Sequence, residues 1–185
     1  MQMAPTHLLL SSFLIFSSTD YVSAQVPDPH VFHRMRTQFL GLNQSLDVLN
    51  GGPKDNMTHF EIFAERSGQL WRFAQSEDGF FRLSTLFRGP GMCLDIFNGG
   101  ENDNQPHLAP CANFSGQLWT ITPTPEVPPL TTSGFFARLT TKFRGPGMCL
   151  DVFNGGPSDR QPHLSPCGPF SGQFWYLSPT EKRVD

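Results

Sequence analysis

The chain has 185 residues, which is room for one ordinary domain or two small ones. Charged residues make up 16% of it, against about 25% in a typical soluble domain, and the net charge is −3. Because no long basic run occurs, the composition argues against a nucleic-acid partner held by phosphate contacts. Glycine and proline number 17 each, too many for a helical bundle, while 38% hydrophobic residues is too much for a disordered chain.

The N-terminus reads as a targeting segment. An apolar stretch at residues 8–16 is too short to span a bilayer, and Val22, Ser23 and Ala24 fit a small-x-small signal-peptidase site. We therefore predict a signal peptide over residues 1–24, cleaved after Ala24, and a secreted mature chain over residues 25–185. No other apolar run is long enough for a transmembrane helix, so no membrane span is expected.

The mature chain carries four cysteines and three N-glycosylation sequons. In an oxidising compartment the cysteines are expected to form disulfides, and they lack the paired C-x-x-C spacing of a zinc site. The sequons matter only in a host that glycosylates. They are Asn43-Gln44-Ser45, Asn56-Met57-Thr58 and Asn113-Phe114-Ser115.

The mature chain repeats itself three times. Residues 80–119 and 136–175 are identical at 29 of 40 aligned positions, and residues 32–71 match the second copy at 19 of 40. The repeats cover about residues 31–76, 79–123 and 135–179, and a Pro-rich insertion occupies residues 123–133. We interpret the insertion as a loop within one domain, because a single copy cannot close a core by itself.

Each repeat reads as four short strands. In the second copy the strands are predicted over residues 80–85, 92–97, 107–111 and 117–121, with a turn at Asn98-Gly99-Gly100. No segment has a sustained helical period. Four strands in each of three copies predict about twelve strands, and three copies are too few for a propeller. The fold predicted for this all-β chain is a three-fold closed barrel with a hairpin cap, a β-trefoil.

The recurring pattern Cys-Leu-Asp-x-Phe-Asn-Gly-Gly, then Pro-Cys, then Gln-x-Trp resembles the ricin B-type β-trefoil lectins, which carry three Gln-x-Trp repeats. The resemblance covers about residues 31–177. It implies that galactose-type or related sugars bind in shallow pockets, up to one per repeat. It also implies no bridge in repeat one, which has Ser45 and Phe63 at the cysteine positions, and one disulfide in each other repeat, Cys93–Cys111 and Cys149–Cys167.

Large apolar residues recur at equivalent places and predict a shared core. They are Trp71, Trp119, Trp175, Phe39, Phe87, Phe143, Leu46, Leu94 and Leu150. Three arginines recur as well, and we interpret them as packing over aromatic rings or pairing with acids. These are Arg34, Arg82 and Arg138.

Three equivalent aspartates are the candidate sugar-binding residues. A sugar site needs a carboxylate that accepts hydrogen bonds from neighbouring hydroxyls, and in the family the Asp after Cys-x has that role. Asp95 and Asp151 are favoured and Asp47 belongs to a weaker third site, the alternative being that each Asp caps a turn. By resemblance the sites include further polar residues: Asn98, His107, Gln117, Asn154, His163 and Gln173, with Asn50, His59 and Gln69 in repeat one.

These polar residues have structural alternatives. The place of the asparagines before Gly-Gly favours a turn, because Asn tolerates a positive φ. The histidines could instead be satisfied by hydrogen bonds between strands. A metal site is not expected, since each copy offers one His with one or two carboxylates. The glutamines are expected to hydrogen-bond within the fold, close to the pocket.

The sequence departs from the family at two places that bear on the sugar site. Working members often carry an aromatic residue before Pro-Cys, where this chain has Ala109, Ser165 and, in repeat one, Glu61. The family's Asn before Gln-x-Trp is replaced by Gly68, Gly116 and Gly172. Two phenylalanines lie two residues after an Asp on the same strand face, and we predict that they supply the ring surface, Phe97 and Phe153. Repeat one has Leu49 there.

Together these features predict a secreted carbohydrate-binding protein with two competent pockets, whose partners are glycans or glycoproteins. The alternative is a trefoil protease inhibitor or a protein-binding, signalling ligand with degenerate sugar sites. An accessory module of an enzyme is disfavoured, because the sequence ends soon after the third repeat. We expect no enzymatic activity, cofactor or metal, since no triad order, nucleophile elbow, phosphate loop or metal signature occurs. The sequence leaves an oligomer open.

Overall fold

A computed structural model describes residues 25–76, 78–131 and 133–185. The predicted signal peptide, residues 1–24, lies outside the described residues. The described chain forms twelve strands: β1 (Val31–Thr37), β2 (Gln44–Val48), β3 (Thr58–Ile62), β4 (Trp71–Gln75), β5 (Phe81–Thr85), β6 (Met92–Ile96), β7 (Pro106–Pro110), β8 (Trp119–Pro123), β9 (Phe135–Thr141), β10 (Gly145–Val152), β11 (Pro162–Pro166) and β12 (Trp175–Arg183). In those ranges, no helix is long and apolar enough to cross a membrane.

Six of the strands close into a barrel. Around the ring, β1 pairs with β4, β4 with β5, β5 with β8, β8 with β9, β9 with β12, and β12 with β1, all antiparallel. The other six form three antiparallel hairpins, β2–β3, β6–β7 and β10–β11, one from each repeat. A six-stranded barrel capped by three hairpins is a β-trefoil, so the predicted fold is confirmed.

The core is built from the repeated apolar residues. Trp71, Trp119 and Trp175 are completely buried, and each indole N–H donates to the carbonyl of a fully buried leucine. The acceptors are Leu46, Leu94 and Leu150, at 3.0, 2.9 and 2.7 Å. Because each buried indole N–H has a partner, the three tryptophans contribute their large apolar area without leaving a polar atom unpaired.

Two sequence predictions for local structure need correction. Gln117 belongs to a 3-10 turn, Ser115–Gln117, and the strand begins at Trp119. The positive φ after each aspartate strand falls on the two glycines and not on the asparagine before them, as Gly99 (86°) and Gly100 (73°) show. Glycine adopts this region without a Cβ clash, so the Gly-Gly pair and not the asparagine makes the turn.

The two predicted disulfides are present, Cys93–Cys111 and Cys149–Cys167. Repeat one replaces the bridge with polar and aromatic packing. The Nε of Arg36 donates to the Ser45 hydroxyl at 3.3 Å, and the guanidinium groups of Arg34 and Arg36 lie 4.6 and 4.9 Å from the centre of the Phe63 ring. This arrangement holds the first hairpin against the barrel without a covalent link.

The Pro-rich insertion packs on the outside of the barrel. The Tyr176 hydroxyl accepts a hydrogen bond from the Thr131 N–H at 2.9 Å and donates to the Thr131 carbonyl at 3.0 Å. Val127 packs against a small second cluster formed by Phe136, Phe174 and Tyr176. The insertion therefore adds to the surface of the third repeat and leaves the three-fold barrel unchanged.

Candidate functional site

Three surface cavities lie at equivalent places, one beside the aspartate of each repeat. Pocket one, beside Asp47, has a volume of about 320 Å³, pocket two, beside Asp95, about 230 Å³, and pocket three, beside Asp151, about 500 Å³. Each is lined by the aspartate, the asparagine before Gly-Gly and the Ser-Gly of the 3-10 turn. The candidate aspartates and asparagines of one repeat are therefore brought together at one cavity.

Each aspartate is held rigidly at the wall of its pocket. The carboxylates are 5–9% exposed. In Asp95, Oδ1 accepts the Ile96 N–H at 2.7 Å and Oδ2 accepts the Gln117 side-chain amide at 3.0 Å. Asp47 and Asp151 make the same two bonds. An ionised carboxylate has about four acceptor positions, so Asp95 keeps capacity for donors from the pocket.

The buried glutamines position the carboxylates. Gln117 is completely buried, its Nε2 donates to Asp95 and also to the Pro110 carbonyl at 3.0 Å, and its Oε1 accepts from the Ala112 N–H at 2.8 Å. Gln69 and Gln173 repeat this arrangement. The structure thus confirms that these side chains hydrogen-bond within the fold.

Pocket three has one more hydrogen bond at its aspartate. The Ser165 hydroxyl donates to Asp151 Oδ2 at 2.7 Å and lies 2.9 Å from the Nε2 of Gln173. Repeat two has Ala109 at this position. Asp151 therefore offers one acceptor position fewer than Asp95, although its cavity is larger.

The glycines that replace the family's asparagine are required by the position of the carboxylate. A Cβ built on Gly68, Gly116 or Gly172 would lie 2.0, 2.2 or 2.3 Å from Oδ1 of the aspartate in the same repeat. No side chain larger than hydrogen fits while the aspartate keeps its place. The glycine at each of these three positions is therefore tied to the way this chain packs its aspartate.

In repeats two and three, a phenylalanine stacks on the predicted histidine. The ring centres of Phe97 and His107 are 3.7 Å apart, and those of Phe153 and His163 are 3.5 Å apart. Burial lowers the pKa of both histidines, and the opposing effect of the neighbouring aspartate is smaller. Both imidazoles are therefore neutral at pH 7. The Nδ1 atom of His107 is buried without a hydrogen-bond partner among the described residues, so a hydrogen bond between strands does not satisfy this nitrogen.

The two stacks face different cavities. Phe153 and His163 both line pocket three. Phe97 instead lines a cavity of about 540 Å³ among the hairpins of all three repeats, together with Leu49, His59 and Pro162. His59 and Leu49 also line pocket one. Phe153 therefore lies beside the aspartate in the pocket of repeat three, whereas in repeat two the ring surface beside the aspartate comes from other residues.

Sequence reasoning missed two rings that line the pockets. Phe114 lines pocket two and Phe170 lines pocket three, at equivalent positions, and they are 60% and 57% exposed. Repeat one has Arg66 there. The sequence does contain a signal for these rings, because a phenylalanine occurs three residues after the second cysteine in both repeats two and three. It does not follow from the family pattern, which expects the ring before Pro-Cys.

The interpretation of Phe39, Phe87 and Phe143 as core residues holds in part, since Phe39 and Phe143 pack against the core cluster. These rings are half-buried, and each lines the pocket of the preceding repeat: Phe87 pocket one, Phe143 pocket two and Phe39 pocket three. They lie after the first strand of their own repeat, where the chain leaves the barrel next to the neighbouring hairpin. Each pocket is thus completed by a ring from another repeat.

The recurring arginines are structural. Arg34, Arg82 and Arg138 each donate to a backbone carbonyl in the loop after the third strand, at 3.0–3.2 Å. Arg34 also pairs with Glu65 at 2.8 Å, and Arg138 lies 5.0 Å from the centre of the Phe174 ring. In residues 25–76, 78–131 and 133–185, no group of three or more His, Cys, Asp or Glu side chains is placed to hold a metal ion.

No protein-family model and no curated protein matches this sequence. Among solved structures, the chain is similar to a mosquitocidal holotoxin (TM-score 0.67, 14% identity), over 84% of this chain and 18% of the holotoxin, so it spans less than a fifth of that protein. It is similar to ThreeFoil, a designed three-fold symmetric protein (0.61, 20%), over 80% and 99% of the two chains. It is also similar to the C-half of an earthworm R-type lectin solved with GalNAc (0.51, 11%), over 81% and 99%. At these identities the likeness shows the β-trefoil fold.

Proposed function

We propose that this chain is a secreted carbohydrate-binding protein whose working pockets are pocket two and pocket three. The observation that carries the proposal is the pair of exposed rings, Phe114 and Phe170, each lining a pocket beside a buried aspartate. A sugar presents hydroxyl donors at its edge and an apolar C–H surface on its face. The carboxylate matches the first and the aromatic ring matches the second.

Two further features support the proposal. The aspartates are fixed by buried glutamines, so no ordering of the acceptor is needed when a ligand binds. The two disulfides agree with an oxidising, extracellular location. The R-type lectin with a similar fold was solved with GalNAc, which favours galactose-type sugars as the first ligands to test. The proposal assigns no catalytic step to the chain.

Pocket one is proposed to bind poorly. It has Leu49 in place of the stacking phenylalanine and Arg66 in place of the exposed ring. Its aspartate, Asp47, is the least exposed of the three at 5%. Pocket one therefore lacks the ring that we propose holds the sugar's apolar face.

A glycan array probed with the oxidised protein tests this function. We expect binding to galactose-type glycans, and we expect Phe114→Ala and Phe170→Ala each to weaken its own pocket about tenfold, since stacking a sugar face on the ring is worth about 1–2 kcal/mol. Ile62→Ala is the matched control, because Ile62 is 70% exposed and lies outside the pockets. An array without any bound glycan, together with inhibition of a protease, would favour the protease-inhibitor function instead.

The aspartates need a separate variant. Asp95→Ala combined with Asp151→Ala should abolish array binding, because both favoured pockets lose their acceptor. Circular dichroism and the thermal midpoint of the double variant report whether the barrel remains folded. Unchanged array binding by a folded double variant would show that the aspartates are not the sugar-binding residues.

A further inference from the structure

The three N-glycosylation sequons occupy different environments in the folded chain. Asn43 and Asn113 are exposed, whereas Asn56 is half-buried. The side-chain Oδ1 of Asn56 is enclosed, its Nδ2 donates to Asp55 at 3.1 Å, and its backbone accepts from the Leu108 N–H of the next hairpin at 2.8 Å. The native fold therefore encloses Asn56 more than Asn43 and Asn113, whose exposed side chains have room for a glycan.

Asn113 is placed at the mouth of pocket two. The two residues that follow it in the sequon, Phe114 and Ser115, both line that pocket. The loop is held in place from both sides, because the Phe114 carbonyl accepts the Gln117 N–H at 3.1 Å and the Ser115 carbonyl accepts the Phe143 N–H at 3.2 Å. A group attached to Asn113 is therefore anchored within two residues of the cavity.

The equivalent positions in the other repeats cannot carry such a group. Repeat three has Pro169 in place of Asn113, followed by the same Phe-Ser pair, and repeat one has Glu65. Pro169 itself lines pocket three. Of the two pockets that have an exposed ring, pocket two thus has an asparagine that can carry a glycan at its mouth, and pocket three has a proline at the same position.

We propose that Asn113 is an N-glycosylation site whose glycan covers pocket two, so that the glycosylated protein binds through pocket three alone. In this modification the Asn113 amide nitrogen forms a bond to the anomeric carbon of a lipid-pyrophosphate-linked oligosaccharide. The bond from that carbon to the pyrophosphate oxygen breaks, the lipid pyrophosphate leaves, and the amide loses one proton. The attachment and the covering depend only on the geometry of the loop, whereas the effect on sugar binding rests on the proposed function.

Peptide mass spectrometry of the full chain secreted from a eukaryotic cell line tests the attachment. We expect a glycan on Asn113 and on Asn43, and an unmodified Asn56. Asn43 is the internal reference, because it is exposed and lies away from the three pockets. A secreted protein with an unmodified Asn113 would overturn the proposal.

Hydroxyl-radical labelling tests the covering without any sugar ligand. Phe114 and Phe170 have nearly equal exposure, 60% and 57%, so each serves as the reference for the other. In the glycosylated protein we expect labelling of Phe114 to fall several-fold relative to Asn113→Gln, with Phe170 unchanged. Equal labelling of Phe114 in the two proteins would contradict the proposal, whether or not the chain binds sugars.

Moving the sequon to repeat three provides the reciprocal test. Pro169→Asn produces Asn-Phe-Ser at residues 169–171, the same tripeptide as at 113–115. We expect this variant to protect Phe170 from labelling and Pro169→Gln, which lacks a sequon, to leave it labelled. Glycosylation of Pro169→Asn without protection of Phe170 would show that a glycan at this position does not cover the pocket.

Galactose-agarose binding then tests the consequence for function. In an Asp151→Ala background, pocket two is the only one of the two working pockets left intact. The glycosylated protein should then not be retained, and adding Asn113→Gln should restore binding at least tenfold. Equal retention of both proteins would overturn the covering of pocket two. A third outcome is that neither Asp151→Ala protein nor the wild type is retained, while the glycan still protects Phe114 from labelling. This result would refute the proposed galactose binding and would support the covering of pocket two by the glycan.

Discussion

At the residue scale, the position of each carboxylate depends on the absence of a side chain opposite it. Gly172→Ala would place a Cβ about 2.3 Å from Asp151 Oδ1, so the aspartate must move. We expect a loss of about 1–3 kcal/mol in the free energy of unfolding and the loss of sugar binding at pocket three. Gly147→Ala is the control, because nothing lies within 4 Å of its added Cβ. Urea denaturation and sugar-affinity measurements on the Gly172→Ala and Gly147→Ala proteins check this prediction. Equal stability and equal affinity of the two variants would refute it.

A second residue-scale prediction concerns His33, which is buried in β1. Burial lowers its pKa from 6.5 to about 4, and the opposing effects of the Val31 backbone and Asp28 are smaller. Between these pH values the unfolded chain binds a proton that the folded chain does not. Stability therefore falls as the pH is lowered through this window, by up to about 3 kcal/mol.

The measurement for His33 is the urea midpoint of the wild type and of His33→Leu above pH 6.5 and near pH 4. Since carboxylates also titrate near pH 4, the difference between the two proteins isolates the histidine. We expect the wild type to lose more stability on acidification than the variant. A difference that does not change with pH would contradict the prediction.

At the scale of elements, the two strands of each hairpin are held together at their open end in one of two ways. Repeats two and three use a disulfide that closes a short loop, and repeat one uses Arg34 and Arg36 packed on Phe63. Cys149→Ala with Cys167→Ala should lower the free energy of unfolding by about 2–4 kcal/mol, mainly because the unfolded chain regains freedom. The first repeat, which has no bridge, shows that the hairpin can still form.

Urea denaturation of the double cysteine variant, alone and in the presence of reductant, checks this prediction. Reductant should destabilise the wild type further than the variant, because the wild type has two bridges to lose, whereas the variant retains Cys93–Cys111 alone. An unchanged midpoint on removing the Cys149–Cys167 bridge would refute the assigned contribution.

At the scale of the whole molecule, the pockets belong to pairs of repeats. Pocket three is completed by Phe39 of repeat one and pocket one by Phe87 of repeat two. Arg88 of repeat two pairs with Asp55 of repeat one, and Arg144 of repeat three pairs with Asp103 of repeat two. The three-fold closure therefore assembles the sites as well as the barrel.

Phe39→Ala tests this dependence between repeats. We expect it to weaken sugar binding at pocket three about tenfold, since the ring forms part of the apolar wall. Phe87→Ala, which removes the equivalent ring from pocket one, should leave pocket three unchanged while altering stability to a similar degree. Isothermal titration with galactose, with both variants made in an Asp95→Ala background, measures the affinity of pocket three. Equal affinities of the Phe39→Ala and Phe87→Ala proteins would show that pocket three does not need repeat one.

The fold was predictable from the sequence because it follows from local spacing. The repeated Trp and Leu residues, the strand lengths and the cysteine positions are all periodic within one chain, and the buried tryptophans and both disulfides agree with that periodicity. The aspartates were found in the same way, since each lies at one fixed place in its repeat.

The composition of the pockets could not be read from spacing. Phe39 lies more than 100 residues from Asp151, and only the closed barrel brings it to pocket three. The exposure of Phe114 and Phe170, and the contact that excludes a side chain at Gly116, are likewise set by neighbouring strands and loops. Periodicity identifies which residues are equivalent, whereas a side chain's surroundings depend on segments that are distant in sequence and meet only when the three repeats close on each other.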